Sequence, residues 1–95
     1  MILINQDFRV TLDSKIDLTG GAPLLIVYRK PNSSVEVSAA ATNTDTTKAY
    51  IDIAAATNDT SGKWLFKIST TIAGKAYFSE PVYINVRSSC FPWED

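Results

Sequence analysis

The chain has 95 residues, with nine basic and ten acidic side chains for a net charge of −1, and is 45% hydrophobic against 20% charged. That is the length and balance of one domain with a packed core, which excludes a disordered tail and leaves no room for a second folded unit. The charges are scattered singly, so no basic stripe exists to displace counterions from a phosphate backbone and nucleic acid is excluded as a partner; histidine is absent, which removes the commonest general base and metal ligand, and no catalytic residue, metal or cofactor is expected.

The opening MILINQDF has too short an apolar run, and no basic flank, to read as a signal peptide or a membrane span. Cys90 is the lone cysteine, so no intramolecular disulfide can form. Both features predict a protein made in the cytoplasm, with no membrane association; a mature secreted fragment with its leader removed would look the same.

Periodicity of two dominates the chain. In FRVTLDSKIDL, Phe8, Val10, Leu12, Ile16 and Leu18 hold even positions, while Arg9, Thr11, Asp13, Lys15 and Asp17 hold odd ones, which predicts a strand region with one wet face. After the turn TGGAP, LLIVYRK is apolar on both faces and reads as a central strand, closed by the turn KPNSS. VEVSA and KAYIDIA come next as shorter alternating strands, separated by the loop TNTDTT.

In WLFKISTTI, the side chains Trp64, Phe66, Ile68 and Ile72 share a face, and in AYFSEPVYINVR so do Ala76, Phe78, Val82, Ile84 and Val86. An antiparallel hairpin turning at Ala73, Gly74 and Lys75 pairs Ile72 with Ala76, Thr70 with Phe78, Phe66 with Val82 and Trp64 with Ile84, so that core meets core along the ladder. Pro81 cannot donate to a ladder, which predicts an edge for the last strand. Six to seven strands with short turns and no helix predict an all-β antiparallel sandwich over residues 1–87, followed by a C-terminal tail, 88–95, as a possible docking segment. A closed barrel is the structural alternative.

The corner NDTSGKWLF resembles the entry to the penultimate strand of immunoglobulin-like domains, with Trp64 in the place of the corner aromatic. Phe66 stands where antibody domains carry a cysteine, so the disulfide-bearing branch is excluded. Over residues 8–87, the amphipathic first strand, the turn IDLTGGAP, the strand LLIVYRKP and SGKWLFKI before a hairpin are similar to the immunoglobulin-like domains of tailed-bacteriophage virion proteins, especially the N-terminal domain type of baseplate upper proteins. The resemblance implies a structural protein of the virion, as head decoration, neck or tail and baseplate component. It would be synthesised in the host cytoplasm and assembled with other virion proteins and copies of itself.

Asp13, Asp17, Asp45, Asn58 and Asp59 fall on turns where oxygen ligands could hold calcium, but Asx residues shape turns for their own reasons. Asn32 and Asn58 match the glycan-acceptor pattern, which has meaning only in a secreted chain. Tyr50, Tyr77 and Tyr83 fall on the polar parity, and a carbohydrate-binding module using these tyrosines is the alternative function. A cytosolic bacterial interaction domain would differ from the virion protein only in its partner. In the expected register Leu65 opposes Tyr83, which suggests an outer contact patch. The tail SSCFPWED adds Phe91 and Trp93 after the last strand, and Pro92 stops the ladder from continuing. These rings, with Pro92, Leu65 and Tyr83, are the candidate interface, with docking in cis and in trans both open.

Overall fold

The computed structural model describes residues 2–88, and every element among them is a strand or a turn. Nine strands form in chain order: β1 (Ile2–Leu3), β2 (Phe8–Asp13), β3 (Leu24–Arg29), β4 (Val37–Ala40), β5 (Thr42–Asn43), β6 (Lys48–Ile53), β7 (Gly62–Ile72), β8 (Lys75–Phe78) and β9 (Val82–Arg87). The larger sheet runs β1-β9-β7-β3-β4, with β8 also paired to β7, and the smaller runs β2-β6-β5. The fold is thus an all-β sandwich of two sheets, with β2, β6 and β5 in one layer and β4, β3, β7, β9 and β1 in the other. All pairings are antiparallel except β1 with β9. Two sheets, not a barrel, enclose the core.

The alternation in the sequence builds that core. Val10 and Leu12 of β2 and Ala49, Ile51 and Ile53 of β6 face Ile26 and Tyr28 of β3, Trp64, Phe66 and Ile68 of β7 and Val86 of β9, all buried. Four rings cross the interlayer space. Phe8 meets Trp64 and Phe66 edge-on at 6.0 and 6.4 Å, while Tyr28 lies 6.0 Å from Trp64 and 5.8 Å from Phe66. Offset and edge-to-face geometries such as these suit the ring quadrupoles. The Trp64 Nε1–H donates to the Thr60 carbonyl at 2.8 Å, so the one polar atom of a fully buried ring is paired within the corner that delivers it. The bond ties the start of β7 to the loop that precedes it.

The expected register of the last strands holds where the core demands it and shifts near the turn. Trp64 pairs with Ile84, Leu65 with Tyr83 and Phe66 with Val82, as the alternation requires. Closer to the turn, Thr70 pairs with Tyr77 and Ser69 with Phe78, one residue away from the expected pairing. The cause is a two-residue turn at Ala73 and Gly74, both with positive φ (51° and 80°), which is the primed geometry of tight hairpins. The extra residue is absorbed as a bulge between β8 and β9. There, Ser79 donates its N–H to the Ile68 carbonyl (2.9 Å) and accepts the Ile68 N–H on its hydroxyl (2.7 Å). Pro81, with no N–H to offer, fits the interruption. As a result Phe78, expected in the core, pairs on the outer side with Ser69 and is 65% exposed, and Tyr77 moves to the inner parity opposite Thr70.

Other expectations are corrected by local chemistry. The first strand region ends at Asp13, because the Lys15 N–H bonds the Asp13 carboxylate (2.9 Å) and Lys15 adopts φ 65°. Ile16 therefore leaves the core face and is 37% exposed, while Leu18 is tucked back in, its N–H on the Thr46 carbonyl. Val35 precedes β4 and is 66% exposed. The TNTDTT stretch begins with a strand, since the chain crosses from the larger to the smaller sheet at Ala41, whose N–H still bonds Leu24 before Thr42 pairs with Tyr50. The last strand is an edge only along part of its length, because Ile2 and Leu3 pair with Val86 and Arg87.

That N-terminal pairing is secured by Asn58, which is fully buried. Its Nδ2 donates to the carbonyls of Leu3 (2.7 Å) and Gln6 (2.9 Å), and its own backbone carbonyl accepts the Asn5 N–H (2.7 Å). Asn58→Ala would leave two carbonyls without their donor, so it is expected to cost about 2–3 kcal/mol, read as a lowered denaturation midpoint with accelerated amide exchange at Ile4 and Asn5.

Candidate assembly surface

The strands that bury even-numbered residues of β7 turn the odd-numbered ones outward. On this outer face of the larger sheet, Leu65 lies between Arg29 of β3 and Tyr83 of β9, and Lys67 lies beside Val27. Ser69 lies between Leu25 and Phe78. Leu25, Val27 and Leu65 are half-buried, whereas Tyr83 is 63% exposed. The Lys67 ammonium spans the band, 3.7 Å from the Glu36 carboxylate and 5.2 Å from the centre of the Phe78 ring. The apolar second face read in LLIVY is thus real, and no third layer among the described residues covers it. The pairing of Leu65 with Tyr83 stands as expected.

At one end the band deepens into a groove of ≈ 480 Å³, lined in part by Arg29, Lys30, Pro31, Lys63, Leu65 and Tyr83. Lys30 is already held, its ammonium 2.8 Å from Asp59. Gly62 forms the neighbouring corner at φ 123°, where a Cβ would come within 3.0 Å of Pro31, so this end of the groove has no tolerance for a side chain. Phe91, Pro92 and Trp93 lie outside the described residues, as does Cys90.

The three tyrosines do not form a common platform. Tyr50 sits on β6 of the smaller sheet, with the Arg9 guanidinium 4.1 Å over its ring, so that face of the ring is occupied. Tyr77 is on the inner parity of β8, and only Tyr83 belongs to the outer band. A second concavity of ≈ 470 Å³ borders Asp7, Phe8, Arg9, Asp52 and Ile53, but its charges are engaged internally. Asp7 accepts the Ala55 N–H at 2.6 Å, and Arg9 grips Asp52 through Nε (2.7 Å) and Nη2 (3.2 Å).

The turn residues weighed as oxygen ligands have structural duties. Asp13 receives the Lys15 N–H, Asp17 the Thr19 N–H and Asp45 the Thr46 N–H, while Asp59 holds Lys30, and Asn58 is the buried staple rather than an accessible glycan acceptor. Among the described residues, no three His, Cys, Asp or Glu side chains cluster as metal ligands would. Asn58 is the important residue that sequence reasoning missed; its NDT context looks like any turn, and only the long-range return of Leu3 and Gln6 gives it a role.

Hydrogen bonds hold several carboxylates below the usual aspartate range: Arg9 on Asp52, Lys30 on Asp59, the Lys15 amide on Asp13 and the Thr19 hydroxyl and amide on Asp17. A carboxylate more acidic in the folded than in the unfolded chain stabilises above its unfolded pKa, and that contribution is lost as pH falls through the folded value. The urea midpoint is therefore expected to be flat from neutral pH down to about 4 and then to fall, with a shallower fall in Asp52→Asn, which also starts from a lower plateau. No protein-family model, curated protein or solved structure matches the chain.

Proposed function

We propose that this chain is a non-enzymatic structural protein of a tailed-phage virion, serving as head decoration, neck or tail and baseplate component. In this reading it assembles with other virion proteins and with copies of itself through the outer face of its larger sheet. The observation that carries the reading is the band of Leu25, Val27, Leu65, Phe78 and Tyr83, an apolar surface on a rigid sheet with no covering layer among the described residues. Contiguous apolar surface of this kind marks protein contacts more often than it marks a small-molecule site. Aromatic side chains on a rigid frame are the usual anchors of such contacts, and repetition under symmetry multiplies modest interfaces.

Lys67, which crosses the band, is paired to Glu36, while Arg29 beside Leu65 adds a cation that a partner has to accommodate. The order of strands and the Trp64 corner support the likeness to immunoglobulin-like virion domains that the sequence suggests, and the lone cysteine suits assembly without disulfides.

Light scattering on the full chain tests the contact. The expected result is a mass that rises with concentration to a multiple of 10.4 kDa, and a Leu65→Asp/Tyr83→Glu variant that melts normally yet stays at the mass of one chain. A variant that assembles as well as the parent, or a parent that stays monomeric and binds glycans through Tyr83, would sink the reading.

A further inference from the structure

Strand edges carry unpaired N–H and C=O groups, and folded proteins blunt them by shortness, proline, lysine or a covering segment. Most edges among the described residues are blunted: β5 is two residues long, β4 and β8 are four, and β9 has Pro81 just before it and β1 along its end. Strand β2 is the exception. Its six residues, FRVTLD, include no Pro, Gly or Lys, and they pair with β6 on one side and with no described strand on the other. The sandwich is also open on that side. Val82, whose parity points inward opposite Phe66, is 41% exposed, and a cleft of ≈ 520 Å³ is lined by Asp13, Ser14 and Lys15 at the end of β2 and by Pro81 and Val82 of the other layer.

The hydrogen-bond phase of β2 fixes which groups are free. Ser14 continues the register and donates its N–H to the Thr47 carbonyl at 2.8 Å, so the even residues bond β6. Arg9, Thr11 and Asp13 therefore turn their N–H and C=O groups to the open side, with their side chains exposed on the outer face. A second β2 laid antiparallel about Thr11 keeps this phase: Thr11 meets Thr11, and Arg9 meets Asp13 of the other copy at both ends. Val10 then meets Leu12 on the inner side. The neighbouring registers with the same phase set Asp13 against Asp7 or Arg9 against Lys15, and like charges directly opposite destabilise a ladder.

We propose that β2 pairs with β2 of a second copy, antiparallel and centred on Thr11, so that two smaller sheets join into one across a two-fold axis. Arg9 holds Asp52 through Nε and Nη2 and keeps Nη1 for the incoming carboxylate. The strand strength comes from the backbone groups that the fold leaves unpaired, and the charge pairs select the register. A contact one strand wide falls far short of the roughly 1,200–2,000 Å² of a stable interface. It is therefore short-lived between free copies, leaving the mass of Leu65→Asp/Tyr83→Glu at one chain, and closes firmly where other contacts have already gathered the copies. The pairing lies on the opposite sheet from the apolar band and does not rest on the virion reading.

Disulfide trapping reads a short-lived pair directly, because Cα atoms of a hydrogen-bonded antiparallel pair lie about 5.5 Å apart, within the span of a disulfide. With Cys90→Ser as the background, each variant carries one thiol at an exposed position, and its melting curve checks the fold. The expected result is that Thr11→Cys forms a covalent pair well ahead of Lys75→Cys, which places the thiol on an exposed residue of β8. An equimolar mixture of Arg9→Cys and Asp13→Cys, one of them isotope-labelled, should give the mixed pair in preference to either self-pair. A Thr11→Cys chain that links no faster than Lys75→Cys overturns the proposal, as does a mixture in which self-pairs form as readily as mixed ones. Adding Leu65→Asp/Tyr83→Glu should leave the pattern unchanged. A pattern lost in that background also overturns the proposal, since the link would then follow from contact through the outer face.

Discussion

The contact between the two sheets rests on four rings, and Trp64 is the member that the others depend on. Phe8 reaches across from the smaller sheet to touch both Trp64 and Phe66, while Tyr28 packs along the same pair from the neighbouring strand. Each such ring removes on the order of 150–250 Å² from water, so the cluster supplies a large share of the interlayer attraction. Direction comes from a single hydrogen bond, Trp64 Nε1–H to Thr60. It fixes the rotamer of the indole and ties the start of β7 to the loop that precedes it. A sandwich held in this way needs no bridge of sulfur between its layers, and no cysteine occurs before Cys90.

A second constraint determines which side chains face outward. The tight turn at Ala73 and Gly74 and the pairing of Trp64 and Phe66 with Ile84 and Val82 follow registers that differ by one residue. The chain reconciles them at Ser79, Glu80 and Pro81, where a serine hydroxyl takes a place in the ladder that a carbonyl would otherwise fill. Because the period of a strand is two, that single extra residue moves Phe78 from the inner to the outer side. The outer band owes one of its two exposed aromatics to a bulge, and the other, Tyr83, to the uninterrupted register beyond it.

Much of this was legible in the sequence because alternation is local. The even-numbered core residues of β2 and β7 and the pairing of Leu65 with Tyr83 come from parity alone, as does the odd-numbered core of β6. The apolar run LLIVY, with β7 and β4 on either side of it, announced the central strand. What escaped is non-local or stereochemical. A two-residue strand at Ile2 and Leu3 has no pattern of its own and exists because Asn58 donates to the carbonyls of Leu3 and Gln6. Ile16 keeps the right parity, yet an Asx turn at Asp13 ends the strand before it. Phe78 is displaced by a bulge whose only signs were a serine and a proline. The remaining candidates, Phe91, Pro92 and Trp93, fall outside the described residues.

The proposed role as a part of a larger assembly rests on the uncovered apolar outer face of the larger sheet. The most direct test of that claim is quantitative mass spectrometry of purified phage particles produced by cells that express this sequence in its native context. The account predicts peptides of this chain in a fixed ratio to the major coat protein, unchanged through further rounds of particle purification. Peptides confined to the soluble cell fraction, with none retained in the particles, would contradict it.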